Sequence, residues 1–112
     1  MDERFIEQLS HHRLRVWHEA VALVREVREV RISDAGLRDQ AVRAAQSVAL
    51  NIAEAAGREG NSKKQHMRIA RGSVIEVVAA YEVAFAMGEK LDARSVIARG
   101  TRIAAMLTGL VR

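Results

Sequence analysis

Six polar residues recur at three- and four-residue steps through the middle of the chain: Gln40, Arg43, Ser47, Asn51, Glu54 and Arg58. Wound as a helix at 100° per residue, they fall on one side as an unbroken stripe. An amide, a guanidinium, a hydroxyl and a carboxylate in one row suit two kinds of chemistry. They can form a hydrogen-bonded and ion-paired network that fixes helix register or a subunit contact. They can also line a ligand or catalytic site. Ser73 and Glu76, further along, are placed to meet the stripe across a helix–helix contact, and Arg71 joins it only by long reach or from another subunit. The structural reading is preferred, because no nucleophile in the row has a base beside it.

A second group is basic. Lys64, Arg68 and Arg71 form a ladder at i, i+4 and i+7, with Arg58 and Lys63 around the preceding turn. Such a ladder is either a solvated charged face or a surface that contacts phosphates. No aromatic residues are interleaved with it, so base stacking and sequence readout are not supported. Any nucleic-acid binding, RNA or DNA, is expected to be salt-sensitive and largely non-specific.

Other chemistries are poorly served. No Glu is followed three residues later by His, as a di-iron bundle requires. His11, His12, His18 and His66 share no helix face and read as surface residues. Glycine-rich phosphate loops, Ser-His-Asp signals and nucleotide fingerprints are absent. The expectation is a protein without enzyme activity, metal or cofactor.

The elements that must carry these residues are helices. The 112 residues contain no proline and are 49% apolar and 29% charged. Proline breaks helix interiors, so its absence fits a nearly all-helical chain. Apolar rows recur at helical spacing in four segments, predicted at about 12–30, 34–57, 62–87 and 92–111 of a single domain. In the first, Val16, Ala20, Leu23, Val27 and Val30 lie beside Leu14, Trp17, Val21 and Val24. Trp17 is expected in the core with its indole N–H partnered, and Arg15–Glu19 and Arg25–Glu29 are i,i+4 ion-pair options. Ser33 or Asp34 suits the second helix as N-cap, Asn61 or Ser62 the third, and Asp92 opens the fourth. Gly72, in the middle of the third helix, marks a close approach by a neighbour. The fold class is all-α, an antiparallel up-down-up-down four-helix bundle.

Charge and targeting bound the setting. The net charge is +4, and the surplus is concentrated in residues 31–75; arginine supplies fifteen of the eighteen basic residues. Without cysteine there are no disulfides or thiolate metal sites. No signal-like or membrane-spanning apolar run is present, so a cytoplasmic location is expected.

Three motifs in order carry a resemblance. They are Leu14-x-Val16-Trp17-x-x-Ala20, the run from Gln40 through Arg43, Ser47, Asn51 and Glu54 to Gly57-Arg58, and Ala70-Arg71-Gly72-Ser73-x-x-Glu76. Over residues 14–110 the chain resembles the four-helix bundle proteins encoded in intervening sequences of bacterial 23S rRNA genes. It is also similar to the accessory variability protein of diversity-generating retroelements. The resemblance implies a ring-like homopentamer. From the retroelement relative it implies a basic protein that binds nucleic acid and partners a reverse transcriptase. Ala49 stands where the family commonly has proline and Ala55 where it has glycine. The second helix is therefore expected to run straighter.

Overall fold

The computed structural model describes residues 9–112. After a 3-10 turn at Ser10–Arg13 come four α-helices: α1 (Arg15–Glu29), α2 (Ala35–Ala56), α3 (Gly60–Ala86) and α4 (Arg94–Leu110). There is no strand among the described residues. Each helix packs against the next in sequence, and α4 returns to α1 to close the bundle. Side-chain pairing gives the direction. Ser47 of α2 meets Ser73 of α3, while Asn51, one turn on, meets His66, about two turns back. Rising numbers in α2 therefore match falling numbers in α3. The same holds for α1 and α4, where Glu19 meets Arg102 and Glu26 meets Ser95.

The core follows the predicted rows with one systematic refinement. Val16, Ala20, Leu23 and Val27 are fully buried, whereas Leu14, Trp17 and Val24 are only partly buried against them. In a four-membered ring of helices one row faces the centre and its neighbour faces the adjoining helix. Ala41, Ala44, Ala45, Val48, Ile52 and Ala55 of α2 and Met67, Ala70, Val74, Val77, Tyr81 and Ala84 of α3 supply the largest share of the core. Alanine dominates α2, and short side chains let its neighbours approach closely. With alanine at positions 49 and 55, α2 is one continuous helix.

Several local expectations are corrected. Trp17 lies at the rim, edge-on to His11 at 4.5 Å between ring centroids, and not in the core. The buried aromatic is Tyr81, whose hydroxyl donates to the carbonyls of Val30 (2.7 Å) and Val27 (3.2 Å) at the end of α1. Leu9 is exposed, and the lead-in residues Phe5 and Ile6 lie outside the described residues. The pairs Arg15–Glu19 and Arg25–Glu29 do not form. Instead Arg99 of α4 bridges Glu19 and Glu26 of α1, and Ser95 also donates to Glu26. For Glu19 the interhelical partner, partly shielded from water, outcompetes Arg15, while Arg25 and Glu29 are both exposed, where an ion pair is worth little.

Glycine and the caps differ too. Nothing approaches Gly72; the close contact is at Gly100, where a Cβ would sit 2.7 Å from Val78 Cγ2. Asp34 caps α2 as expected, accepting from the Leu37 N–H at 2.9 Å. Glu89 adds a second anchor there, its carboxylate accepting from the Ser33 and Asp34 N–H groups. Helix α3 starts earlier than predicted, at Gly60 with φ +59°, and neither Asn61 nor Ser62 caps it. Before α4, Asp92 accepts from the Arg94 N–H and pairs with its guanidinium; those hydrogen bonds hold its carboxyl down to about 2.

Candidate functional site

The polar seam lies where α2 meets α3. Its hydrogen-bonded part is a chain of four residues. Ser47 Oγ and Ser73 Oγ are 2.8 Å apart across the two helices. Asn51 Nδ2 donates to the Ser47 carbonyl (2.9 Å) and to Ser47 Oγ (3.1 Å). Asn51 Oδ1 faces His66 Nδ1 at 2.9 Å. An amide oxygen only accepts, so in this arrangement Nδ1 of His66 carries the proton. All four side chains are half-buried, and among the described residues no charged side chain is fully buried. The seam is thus a hydrogen-bonded latch at the bundle surface, not the buried ion-paired network expected from the stripe.

The remaining members are placed differently. Gln40, Arg43 and Glu76 line a shallow cleft of about 230 Å³ with Ala44, Ser47 and Ser73, without hydrogen bonds among those three side chains. Arg43 Nε instead reaches the Asp39 carbonyl at 3.4 Å. Glu54 turns to Arg58 at 3.3 Å, and Arg58 also donates to Ser62 Oγ. Arg71 does not join: it lies two residues, about 200° of rotation, from Ser73, on the other flank of α3. His66 does join, which corrects its reading as a surface histidine. It stands seven residues, close to two turns, before Ser73, and that spacing was the available signal.

The seam holds no catalytic geometry. Hydroxyl activation needs a base within hydrogen-bond reach. Ser47 and Ser73 face each other and an amide N–H, and Asn51 separates the hydroxyls from the His66 imidazole. Among the described residues no group of three His, Cys, Asp or Glu is arranged to hold a metal ion.

The basic ladder runs along the flank of α3 away from the seam. Ser73 and His66 point to α2, whereas Val78 meets Gly100 of α4. Lys64, Arg68 and Arg71 lie on the α4 side, rotated outward toward solvent. Arg68 and Lys63 are exposed, and Lys64 and Arg71 are half-buried along their stems. Among the described residues these four make no ion pair, so their charge faces outward. Arg58 stands apart from them because Glu54 partly neutralises it.

Two surfaces escaped the sequence reading. One is a cleft of about 700 Å³ between the end of α1 and the first half of α2, lined by Arg28, Arg31, Arg38, Arg43 and Asp39 over Val27 and Val42. Its arginines sit on two helices and their connection, so only the chain reversal gathers them. The other is the outward face of α3, where Ile69, Ile75 and Val83 are 41%, 57% and 46% exposed. Among the described residues no helix is long and apolar enough to cross a membrane.

A comparison with curated proteins finds no match. The family model of the 23S rRNA-intervening sequence protein matches residues 12–109, which takes in α1 to α3, all of α4 but its last residue, the seam and the ladder. The chain therefore belongs to the 23S rRNA-intervening sequence protein family.

Proposed function

We propose that the protein is a non-enzymatic, self-associating helical bundle that contacts nucleic-acid phosphates through the α3 ladder, as an accessory of RNA, DNA or a ribonucleoprotein. One observation carries this reading. Lys64, Arg68 and Arg71 stand on one flank at helical spacing, and no described carboxylate pairs with them. Cations without ion-pair partners on a convex surface can follow a phosphate backbone, and self-association multiplies the contact. The likeness to the retroelement accessory protein points the same way.

Self-association is supported by the apolar row Ile69, Ile75 and Val83, with Gly72 and Ala79 between them. A row of this kind with small residues in it suits a helix of a second copy, and the family resemblance suggests five copies. The same row supports the second reading, a structural or protein-binding oligomer with no nucleic-acid role.

Charge reversal separates the two. Lys64→Glu, Arg68→Glu and Arg71→Glu together are expected to abolish binding to RNA and DNA, while the mass by light scattering stays a constant multiple of 12.4 kDa. In the unchanged protein, log affinity should fall with log salt at a slope of about 3 per chain if all three cations meet phosphates. No binding to either nucleic acid at low salt would remove the first reading and leave the second.

A further inference from the structure

We propose that the arginine cleft at the α1–α2 turn binds an oligophosphate group, the di- or triphosphate of a nucleotide, as a site separate from the ladder. The cleft lies between α1 and α2, whereas the ladder stands on the flank of α3 that faces α4, across the bundle. The cleft and the ladder are therefore independent surfaces.

Four guanidiniums face one carboxylate, Asp39, in this cleft. Among the described residues none of the four pairs with a carboxylate. Helix α1 accounts for one of them, since a cation in its last turn complements the helix dipole, and Arg28 is there. Arg38 is held in place: its Nη1 donates to the carbonyls of Ile32 and Ser33, both at 3.1 Å. Its other donors make no hydrogen bond with the described residues. Arg43 uses only Nε, toward the Asp39 carbonyl, leaving its outer fork open.

Charge and shape select the ligand. Guanidinium forks suit phosphate oxygens because they donate in pairs. A backbone phosphodiester carries a single charge, and a duplex is too wide for a concavity of about 700 Å³. A terminal phosphate adds about −1.5 to −2, so a short phosphate chain balances the excess of three positive charges. Half-buried Val42 offers an apolar surface beside it, which a sugar or base can cover.

The test titrates the full chain with inorganic triphosphate, adenosine triphosphate, adenosine monophosphate and a single-stranded RNA with a 5′-hydroxyl, using calorimetry. Inorganic triphosphate and adenosine triphosphate are expected to bind one per chain, and the monophosphate about tenfold or more weaker. Replacing Arg28, Arg31 and Arg43 together with alanine should weaken triphosphate binding at least about tenfold. Alanines at Lys64, Arg68 and Arg71 should leave it unchanged. Arg28→Gln and Arg43→Gln, made singly, should each lower affinity about threefold, which keeps the test open should the triple variant fail to fold. The proposal is overturned if triphosphate does not bind, if binding survives the cleft substitutions, or if the ladder substitutions remove it. Equal competition by the 5′-hydroxyl RNA would also overturn it and assign the cleft to backbone contact.

Discussion

Tyr81→Phe removes one oxygen from the centre of the bundle and leaves its volume nearly unchanged. The hydroxyl donates at 2.7 Å to the Val30 carbonyl and reaches Val27 O at 3.2 Å, closing the end of α1 from α3. Loss of a donor to a carbonyl that water partly reaches costs about 1–2 kcal/mol. With an unfolding entropy of about 2.1 cal/mol/K per residue, that shifts the melting temperature by roughly 4–8 °C. The phenol offers a second readout. Burial first, and the Glu26 carboxylate second, push the Tyr81 phenol up to about 12. A group raised in the folded state stabilises the fold below its unfolded value and loses that contribution as pH climbs through its folded value. The window is therefore pH 10 to 12, and two pH units correspond to on the order of 2–3 kcal/mol. Lysines titrate there too, so the difference between wild type and Tyr81→Phe isolates the phenol. Tyr81 is the only tyrosine, so its ionisation is read directly by ultraviolet absorbance. Denaturant unfolding of both proteins should show a stability gap at pH 8 that closes between pH 10 and 12. A gap that stays constant with pH, or a folded-state phenol midpoint at 10, would refute the buried hydrogen-bonded assignment.

Gly100→Ala should destabilise by a net of about 1 kcal/mol in thermal melts, because the clash with stiff Val78 exceeds the helix-propensity gain. Arg99→Leu should cost about 1–2 kcal/mol by leaving Glu26 with only the Ser95 hydroxyl and Glu19 with only the more distant Arg102; a double-mutant cycle with Glu26→Gln should show coupling, and additivity would contradict the bridge. Asn51→Ala should cost roughly 0.5–1.5 kcal/mol by disconnecting Ser47 from His66, with nucleic-acid affinity unchanged. A drop in affinity there would move the function to the seam.

The helices were legible because each needs only local periodicity. Val16, Ala20, Leu23 and Val27 declare a buried row, and the absence of proline leaves nothing to interrupt it. What periodicity cannot rank is which of two adjacent rows faces the centre, and Trp17 was misplaced for that reason. Hydrophobicity alone put it inside, but its row lies on the flank. The Ser47–Ser73 contact was readable as two polar positions on helices joined by a short turn. His66 was hidden by its charged neighbours, Lys63, Lys64 and Arg68, which make the start of α3 look uniformly solvated. Glu19 and Glu26 each had a plausible partner four residues away or no partner in view, so Arg99, some seventy residues later, gave no local sign. The arginine cleft was illegible for the same reason: its members converge only after α1 turns back into α2.

The Arg99 bridge also bears on the order in which the molecule is made. It joins the first helix to the last, so the carboxylates of Glu19 and Glu26 emerge from the ribosome long before their cation. A nascent chain that ends before α4 carries three helices around a groove whose first wall holds two unpaired acids, with Val74 and Val78 open where Gly100 will seat. Closure is thereby postponed until α4 is translated, and a product truncated before α4 is marked by the exposed groove it cannot fill.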